Sequence, residues 1–520
     1  MDFLSALWNR AKDQPKVHVY LGSAAVGIIS GLVIVAYRSI ITFFEASRED
    51  SLKSITGSLF GLAIWFSIAI AAGITTAMLT RRKPLIKGSG IPQVKAFLLR
   101  RVTFDWKREL PFKFIGGSLA LGAGLSLGRE GPSIQLGSLV GSAMDDWTGR
   151  HDYTRYFVTA GAAAGISAAF NAPLAGVLFC LEELHRNFSP IMLTSTLIGS
   201  FFANAVMWMF FGNSAVFGIH LAQLLPLKLY FSAVLPIGII CGLLGSVFNH
   251  SLLGFQARFK RLLPNETHRI VAAFAVAAVI SLIFSPITGG GNTLIEKVTK
   301  PGTSLAMIVL LIAGKFIFTL FSYASGAPGG IFLPMLAIGA LIGALAQALL
   351  PVFGIEGNYL ANYILLGMAA FFVAVVRAPI TGAVLITEMA GSLGHFPAFI
   401  LVSVIATLVA GLVGAKPIYD SLLEQITPAL IRKKDSVPIT LHVPLMEGCQ
   451  VSSCADVVAS LPEGCILSAI IRGDERLFPE PSEEVHPGDE LQILVRKDQA
   501  AALKERILEI GRASPGSIES

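Results

Sequence analysis

The chain contains the same irregular apolar unit twice, and this duplication restricts its fold more than any other feature. At an offset of 202, Lys113-Phe114-Ile115 returns as Lys315-Phe316-Ile317. At the same offset Gly124, Gly128, Pro132, Gly137, Leu139 and Gly141 fall on Gly326, Gly330, Pro334, Gly339, Leu341 and Gly343. At an offset of 206, Gly161, Ala163, Ala164, Ala168, Ala172, Pro173, Gly176 and Glu182 fall on Gly367, Ala369, Ala370, Ala374, Ala378, Pro379, Gly382 and Glu388. Close packing through small residues accounts for Gly137, Gly141 and their mates. It does not account for a proline four residues after a glycine in both copies. Broken backbone at membrane depth is tolerated only where protein or a water-filled path satisfies it, and matched breaks in two halves point to a transport site between repeats.

Ordinary membrane spans surround these segments: Val17–Tyr37, Ile55–Leu79, Met192–Phe211, Leu229–Val247, Ile270–Phe284, Ser304–Tyr323 and Phe396–Val413. Over 520 residues, 53% are hydrophobic and only 14% charged, against roughly 25% charged in a soluble domain, which excludes a water-soluble enzyme. The charges are also divided. Residues 435–520 carry 15 acidic and 7 basic side chains, whereas residues 1–434 carry 19 acidic and 33 basic. A basic membrane body is thus joined to an acidic soluble tail, and the net charge of +6 says nothing about nucleic acid. Residues 1–17 read as a short cytoplasmic segment, since Asp2, Arg10, Lys12, Asp13 and Lys16 leave no secretory signal. Gly88–Leu99 is too short to span, and Lys and Arg fence both of its ends. With basic residues kept inside, it is expected to be a re-entrant half-helix.

Gly88-Ser89-Gly90-Ile91-Pro92, Gly128-Arg129-Glu130-Gly131-Pro132 and Gly330-Ile331-Phe332-Leu333-Pro334 each place a glycine-rich turn before a proline in the first helical turn. Such starts leave backbone N–H groups without intrahelical partners, and three of them converging would suit an anion. Fixed partial charges attract an anion without trapping it, as conduction requires. Ser89 reads either as a helix cap or as a hydroxyl donated to the ion. Glu130, a carboxylate at a helix N-terminus, competes with an anion for the same amides and would release them on protonation; the plainer alternative is an ion pair with Arg129. Glu182 has a repeat mate in Glu388, which points to a structural pair. Glu183 falls opposite Met389, and this asymmetry favours it as a proton carrier over a solvated helix end.

These three motifs, with Tyr419 in Lys416-Pro417-Ile418-Tyr419, resemble the signatures of the CLC chloride channel and transporter family over about residues 18–432. The resemblance implies an all-α polytopic membrane protein of two inverted repeats, about 18–220 and 221–432, with broken re-entrant helices. It also implies a homodimer with an anion path in each subunit; the alignment by itself shows only duplication. On the same basis Glu130 resembles the gating glutamate and Glu183 the internal proton-transfer glutamate of the antiporter branch. Ser89 and Tyr419 resemble the hydroxyls that hold the central chloride, with backbone amides of Ile331 and Phe332 on that ion and of Gly131 nearer the outer site. Serine at Ser89 is similar to chloride-selective rather than nitrate-preferring members.

The tail, residues 433–520, is expected to be a small cytoplasmic α/β domain with strands at Ile439–Val443, Cys465–Ile471 and Glu490–Val495 and a closing helix near Gln499–Ile510. Gly464–Arg472 and Pro487–Leu491 resemble the TrkA C-terminal module, which implies regulation by a small ligand or by dimer contact. The function expected of the whole is proton-coupled chloride antiport across a cell membrane, with both termini cytoplasmic, chloride and protons as substrates and no metal or organic cofactor. A passive chloride channel is the rival within the family. An intramembrane enzyme is disfavoured by the absence of an HExxH pattern and of a histidine in either repeat core that could serve as a base.

Overall fold

The computed structural model describes residues 15–55, 58–149, 151–186, 189–212, 225–226, 230–300, 302–353, 357, 359–426, 438–446, 449, 451–473 and 475–511. The chain divides into two compact units, Met1–Ile426 and Thr427–Ser520. The boundary expected after residue 432 and most of the N-terminal segment lie outside the described residues.

Among the described residues the first unit is built of helices, and its elements come in pairs. Helix α1 (Pro15–Ile55) and α2 (Leu59–Arg82) precede a short half-helix α3 (Ile91–Leu98), then α4 (Trp106–Gly122), α5 (Glu130–Thr148) and α6 (Thr154–Phe170). A brief α7 (Pro173–Phe179) runs into a π-helical turn at Cys180–His185, and α8 (Pro190–Phe211) ends the repeat. The second repeat follows in the same order: α9 (Leu235–Leu262), α10 (Glu266–Ile283), α11 (Asn292–Val298), α12 (Leu305–Ala324), α13 (Phe332–Leu349), α14 (Leu360–Val376), α15 (Pro379–Ala390) and α16 (Phe396–Leu412). A last helix, α17 (Ile418–Ile426), follows.

Among the described residues, eight helices are long and apolar enough to cross a membrane. Seven correspond to the spans expected from sequence; the eighth is α13, which runs unbroken behind its Pro334 because proline in a first turn forfeits no intrahelical bond. Helix α1 departs from expectation. It extends from Pro15 to Ile55 rather than ending near Tyr37, since the polar residues after Tyr37 still permit a helix, and Ser58 caps the next one by accepting from the Gly61 N–H. Helix α3, eight residues long, rises about 12 Å and cannot cross a hydrocarbon layer of about 30 Å.

Within each repeat, two helices cross through close backbone approach. A Cβ on Gly137 would stand 2.0 Å from the Gly161 carbonyl oxygen, and one on Gly367 2.1 Å from that of Gly339, so α5 crosses α6 and α13 crosses α14 with no room for a side chain. Two buried lysines repeat the symmetry. Lys113 Nζ donates to the carbonyls of Ile86 (2.8 Å) and Gly88 (2.7 Å), and Lys315 Nζ to those of Ile287 (3.1 Å) and Gly289 (2.6 Å). Each ammonium fixes the turn that precedes a half-helix, α3 in one repeat and α11 in the other.

The second unit is a four-stranded antiparallel sheet in the order β1-β4-β2-β3, with β1 Pro438–Pro444, β2 Ile466–Arg472, β3 Glu475–Leu477 and β4 Glu490–Arg496. Val443, Leu467, Ile470, Leu491, Ile493 and Val495 form its core with Ile507 of α19 (Lys497–Ile510). The expected strands and closing helix are present. Sequence reading missed β3 and α18 (Cys454–Ser460), whose start is fixed by a capping box between Ser453 and Asp456.

Candidate functional site

Three helix starts are tied together by main-chain hydrogen bonds. The Gly329 N–H donates to the Gly88 carbonyl (2.9 Å), while Gly128 and Gly330 exchange N–H···O bonds of 2.6 and 2.8 Å. The turns ahead of α3, α5 and α13 therefore meet. Gly90 caps α3 at φ +98°, a left-handed conformation that favours glycine. A Cβ on Gly131 would stand 2.7 Å from the Ser89 carbonyl oxygen, so the starts of α3 and α5 touch through backbone.

This junction brings together Ser89, Glu130, Gly131, Ile331 and Phe332. Ile331 is the N-cap of α13 and Phe332 its first residue, positions whose N–H groups have no partner within the helix. Ser89 Oγ accepts from the Ile91 N–H at 3.1 Å. The two expectations for Ser89 are compatible, because accepting at a lone pair does not use the hydroxyl proton. The Phe332 ring packs on Phe170 (4.9 Å between centroids), Phe372 (4.5 Å) and Phe179 (6.1 Å), and the Tyr419 ring stands edge-on to Phe179 at 6.4 Å. These rings carry Tyr419 to the same region. Its hydroxyl is buried with no hydrogen-bond partner among the described residues, an uncommon state for a polar atom.

Glu130 is the first residue of α5 and 1% exposed. A Cβ on Gly128 would stand 2.3 Å from Glu130 Oε2 and 3.0 Å from the Leu333 nitrogen, so the carboxylate lies against the amide end of α13. Among the described residues, neither of its oxygens completes a hydrogen bond of good geometry. Arg129 Nε is 4.0 Å from Oε1, a long ion pair without a hydrogen bond, so the plainer alternative is present as well.

Glu183 stands apart from this junction, on the π-helical turn, at 2% exposure. Lys95 Nζ of α3 bridges Glu183 Oε1 (2.8 Å) and Asp420 Oδ1 (2.6 Å), and Arg186 holds Asp420 Oδ2 at 2.5 Å. Sequence reading missed Lys95, Asp420 and Arg186. The available signals were an ionisable residue inside an apolar half-helix and an acid directly after Tyr419. Glu182 faces away, toward the second repeat, and caps α15 by accepting from the Ile380 and Thr381 N–H groups and the Thr381 hydroxyl.

A cleft of about 330 Å³ reaches this region, lined in part by Lys87, Gly88, Lys260, Arg269, Tyr323 and Leu422. Lys87 is paired with Glu266 at 2.6 Å, which leaves the lining with two further cations. Such a wall concentrates anions, and at its inner end the Tyr323 hydroxyl sits 3.2 Å from the position a Gly88 Cβ would take.

Fold and site together define a multi-pass membrane protein in which broken helix starts of duplicated halves meet at a buried junction. A family model described as voltage gated chloride channel matches residues 68–411, and a TrkA-C domain model matches residues 458–508. The H(+)/Cl(-) exchange transporter ClcA of Vibrio campbellii is 36% identical over 440 residues, covering 82% of this chain and 93% of the relative. That of Citrobacter koseri is 33% identical over 428 residues, covering 79% and 89%. A solved slow cyanobacterial Cl-/H+ antiporter superposes with a TM-score of 0.76 at 30% identity, covering 80% of this chain and 99% of that one. A CLC-type fluoride/proton antiporter shares the fold, with a TM-score of 0.66 at 24% identity and coverage of 77% and 96%. The chain belongs to the voltage gated chloride channel (CLC) family, whose two inverted repeats are the paired helices described above, and it ends in a TrkA-C module.

Proposed function

We propose that this protein exchanges chloride for protons across a cell membrane rather than conducting chloride passively, and that it is a transporter and not an enzyme. The observation that carries the reading is the pair of buried carboxylates, Glu130 against the amide end of α13 and Glu183 within a charge network on α3 and α17. Relatives named as H(+)/Cl(-) exchange transporters support it.

In this reading chloride binds at the junction of α3, α5 and α13. The Ser89 and Tyr419 hydroxyls and the Ile331 and Phe332 amides hold it centrally, and the Gly131 amide serves the outer position. Glu130 occupies the outer position while charged and leaves it when protonated, and Glu183 passes protons from the inner side. No metal or organic cofactor takes part. The protein works as a homodimer with a path in each subunit and both termini in the cytoplasm, and the TrkA-C module regulates transport through a small ligand or a dimer contact.

The deciding experiment uses purified protein in liposomes under a chloride gradient. An antiporter drives protons uphill against their own gradient, and chloride movement without uphill proton movement would defeat the proposal. Glu183→Gln is expected to abolish proton movement while chloride flux continues.

A further inference from the structure

The Lys95 network goes beyond a pair of residues that carry ions. Lys95 sits on α3, the half-helix whose start holds Ser89, and Asp420 directly follows Tyr419 on α17. Glu183 comes from the π-helical turn of the first repeat, and π-turns cluster at functional sites. Three elements therefore converge on one ammonium whose side chain is 7% exposed. The charged groups facing Glu183 are Lys95 from α3, Asp420 from α17 and Arg186 from its own turn. His185, on the same turn, is engaged instead by Thr159 Oγ1 (2.6 Å) and Arg155 (3.0 Å) of α6.

Lys95 is shared between two carboxylates of different accessibility. The Glu183 side chain is 2% exposed and that of Asp420 25% exposed, and Asp420 has a second cation in Arg186. The ammonium stabilises a charged Glu183, whereas the Asp420 charge opposes it and competes for the same donor. We propose that Lys95 and Asp420 are opposed positioning residues that set the internal pH at which Glu183 exchanges its proton, a role that rests on the antiport reading. Removal of the cation leaves Glu183 facing only Asp420 and Arg186. Removal of the Asp420 charge gives Glu183 sole hold of Lys95 and frees Arg186.

The two losses act in opposite directions, which a merely structural role would not produce. In liposomes with the outer pH fixed, coupled proton transport is measured against inner pH. Lys95→Met is expected to move the midpoint of that profile to higher pH by about 1–3 pH units, Asp420→Asn to move it lower, and Lys95→Arg to restore it toward wild type. Glu183→Gln, which has no proton to lose, should give chloride flux that neither substitution makes dependent on inner pH. Should Lys95→Met fail to fold, Lys95→Gln, which is polar but uncharged, tests the same sign against Asp420→Asn. Profiles that shift together, or rates that fall with unmoved midpoints, would overturn the assignment while wild-type uphill proton transport keeps the antiport reading intact. Absence of uphill transport in the wild type would remove both.

Discussion

Glu182 and Glu388 cap each other's repeats. Glu182 accepts from the N–H groups of Ile380 (3.2 Å) and Thr381 (2.8 Å) at the start of α15, and Glu388 accepts from those of Leu174 (3.0 Å) and Ala175 (2.7 Å) at the start of α7. The residues are mates at the repeat offset, so the exchange is itself two-fold. It also explains why adjacent glutamates have different surroundings: Glu182 is held by backbone of the other half, while Glu183 is held by side chains.

Carboxylates that accept from orphan N–H groups at a helix start are charge-assisted and complement the helix dipole. Glu182→Ala and Glu388→Ala are each expected to destabilise the membrane unit by about 1.5–3 kcal/mol. The Glu182 variant should lose more, because Thr381 Oγ1 also donates to it at 2.7 Å. Thermal unfolding of purified protein in detergent measures both, and a silent variant would show that the cap is not a repeat-joining contact.

Glu130→Ala removes the carboxylate that lies on the amides of α13 without adding bulk. Chloride flux in liposomes should persist, lose its dependence on outer pH and no longer drive protons. A variant that still pumped protons uphill would dissociate Glu130 from the gate.

Legibility from sequence followed the range of the interactions. The three helix starts at the junction were readable because glycine and proline break a helix locally, and Glu130 because it sits inside one of them. The Lys95–Asp420 pair spans 325 positions, and no local pattern announces a contact of that range. The mirrored start Gly289-Gly290-Gly291 escaped for another reason. It matches Gly88-Ser89-Gly90 at an offset of 201 rather than 202, and Gly290 stands where the first repeat has Ser89. Gly289 and Gly291 nonetheless repeat the left-handed backbone of Gly88 and Gly90, at +65° and +119° against +59° and +98°. The serine hydroxyl is thus confined to one half of a symmetric frame.

The junction has no spare volume at Gly131. A Cβ there would meet the Ser89 carbonyl oxygen at 2.7 Å and the Ser89 Cβ at 2.9 Å, and since the first of these is backbone, relief requires the starts of α3 and α5 to separate. Gly131→Ala should cost about 1–3 kcal/mol and lower chloride flux roughly tenfold. Flux at the wild-type level would mean that the spacing between these helix starts does not set anion binding.

In the TrkA-C module the Arg472 guanidinium grips Asp489, with Nε to Oδ1 at 3.0 Å and NH2 to Oδ2 at 2.8 Å, and the His486 N–H adds a bond of 2.9 Å to Oδ2. The hydrogen bond from Arg472 holds the Asp489 carboxyl below its ordinary value despite its burial. A carboxylate depressed in the folded state stabilises that state above the unfolded value of about 3.9 and loses the contribution as pH falls through the folded value. Wild-type full-length protein should therefore resist proteolysis of the module better than Asp489→Asn at neutral pH, with the difference narrowing only as pH falls below about 4. Limited digestion of both proteins by an acid-tolerant protease across pH 3–7 tests this, and a gap that closed already near pH 6 would assign the stabilisation to a histidine rather than to Asp489.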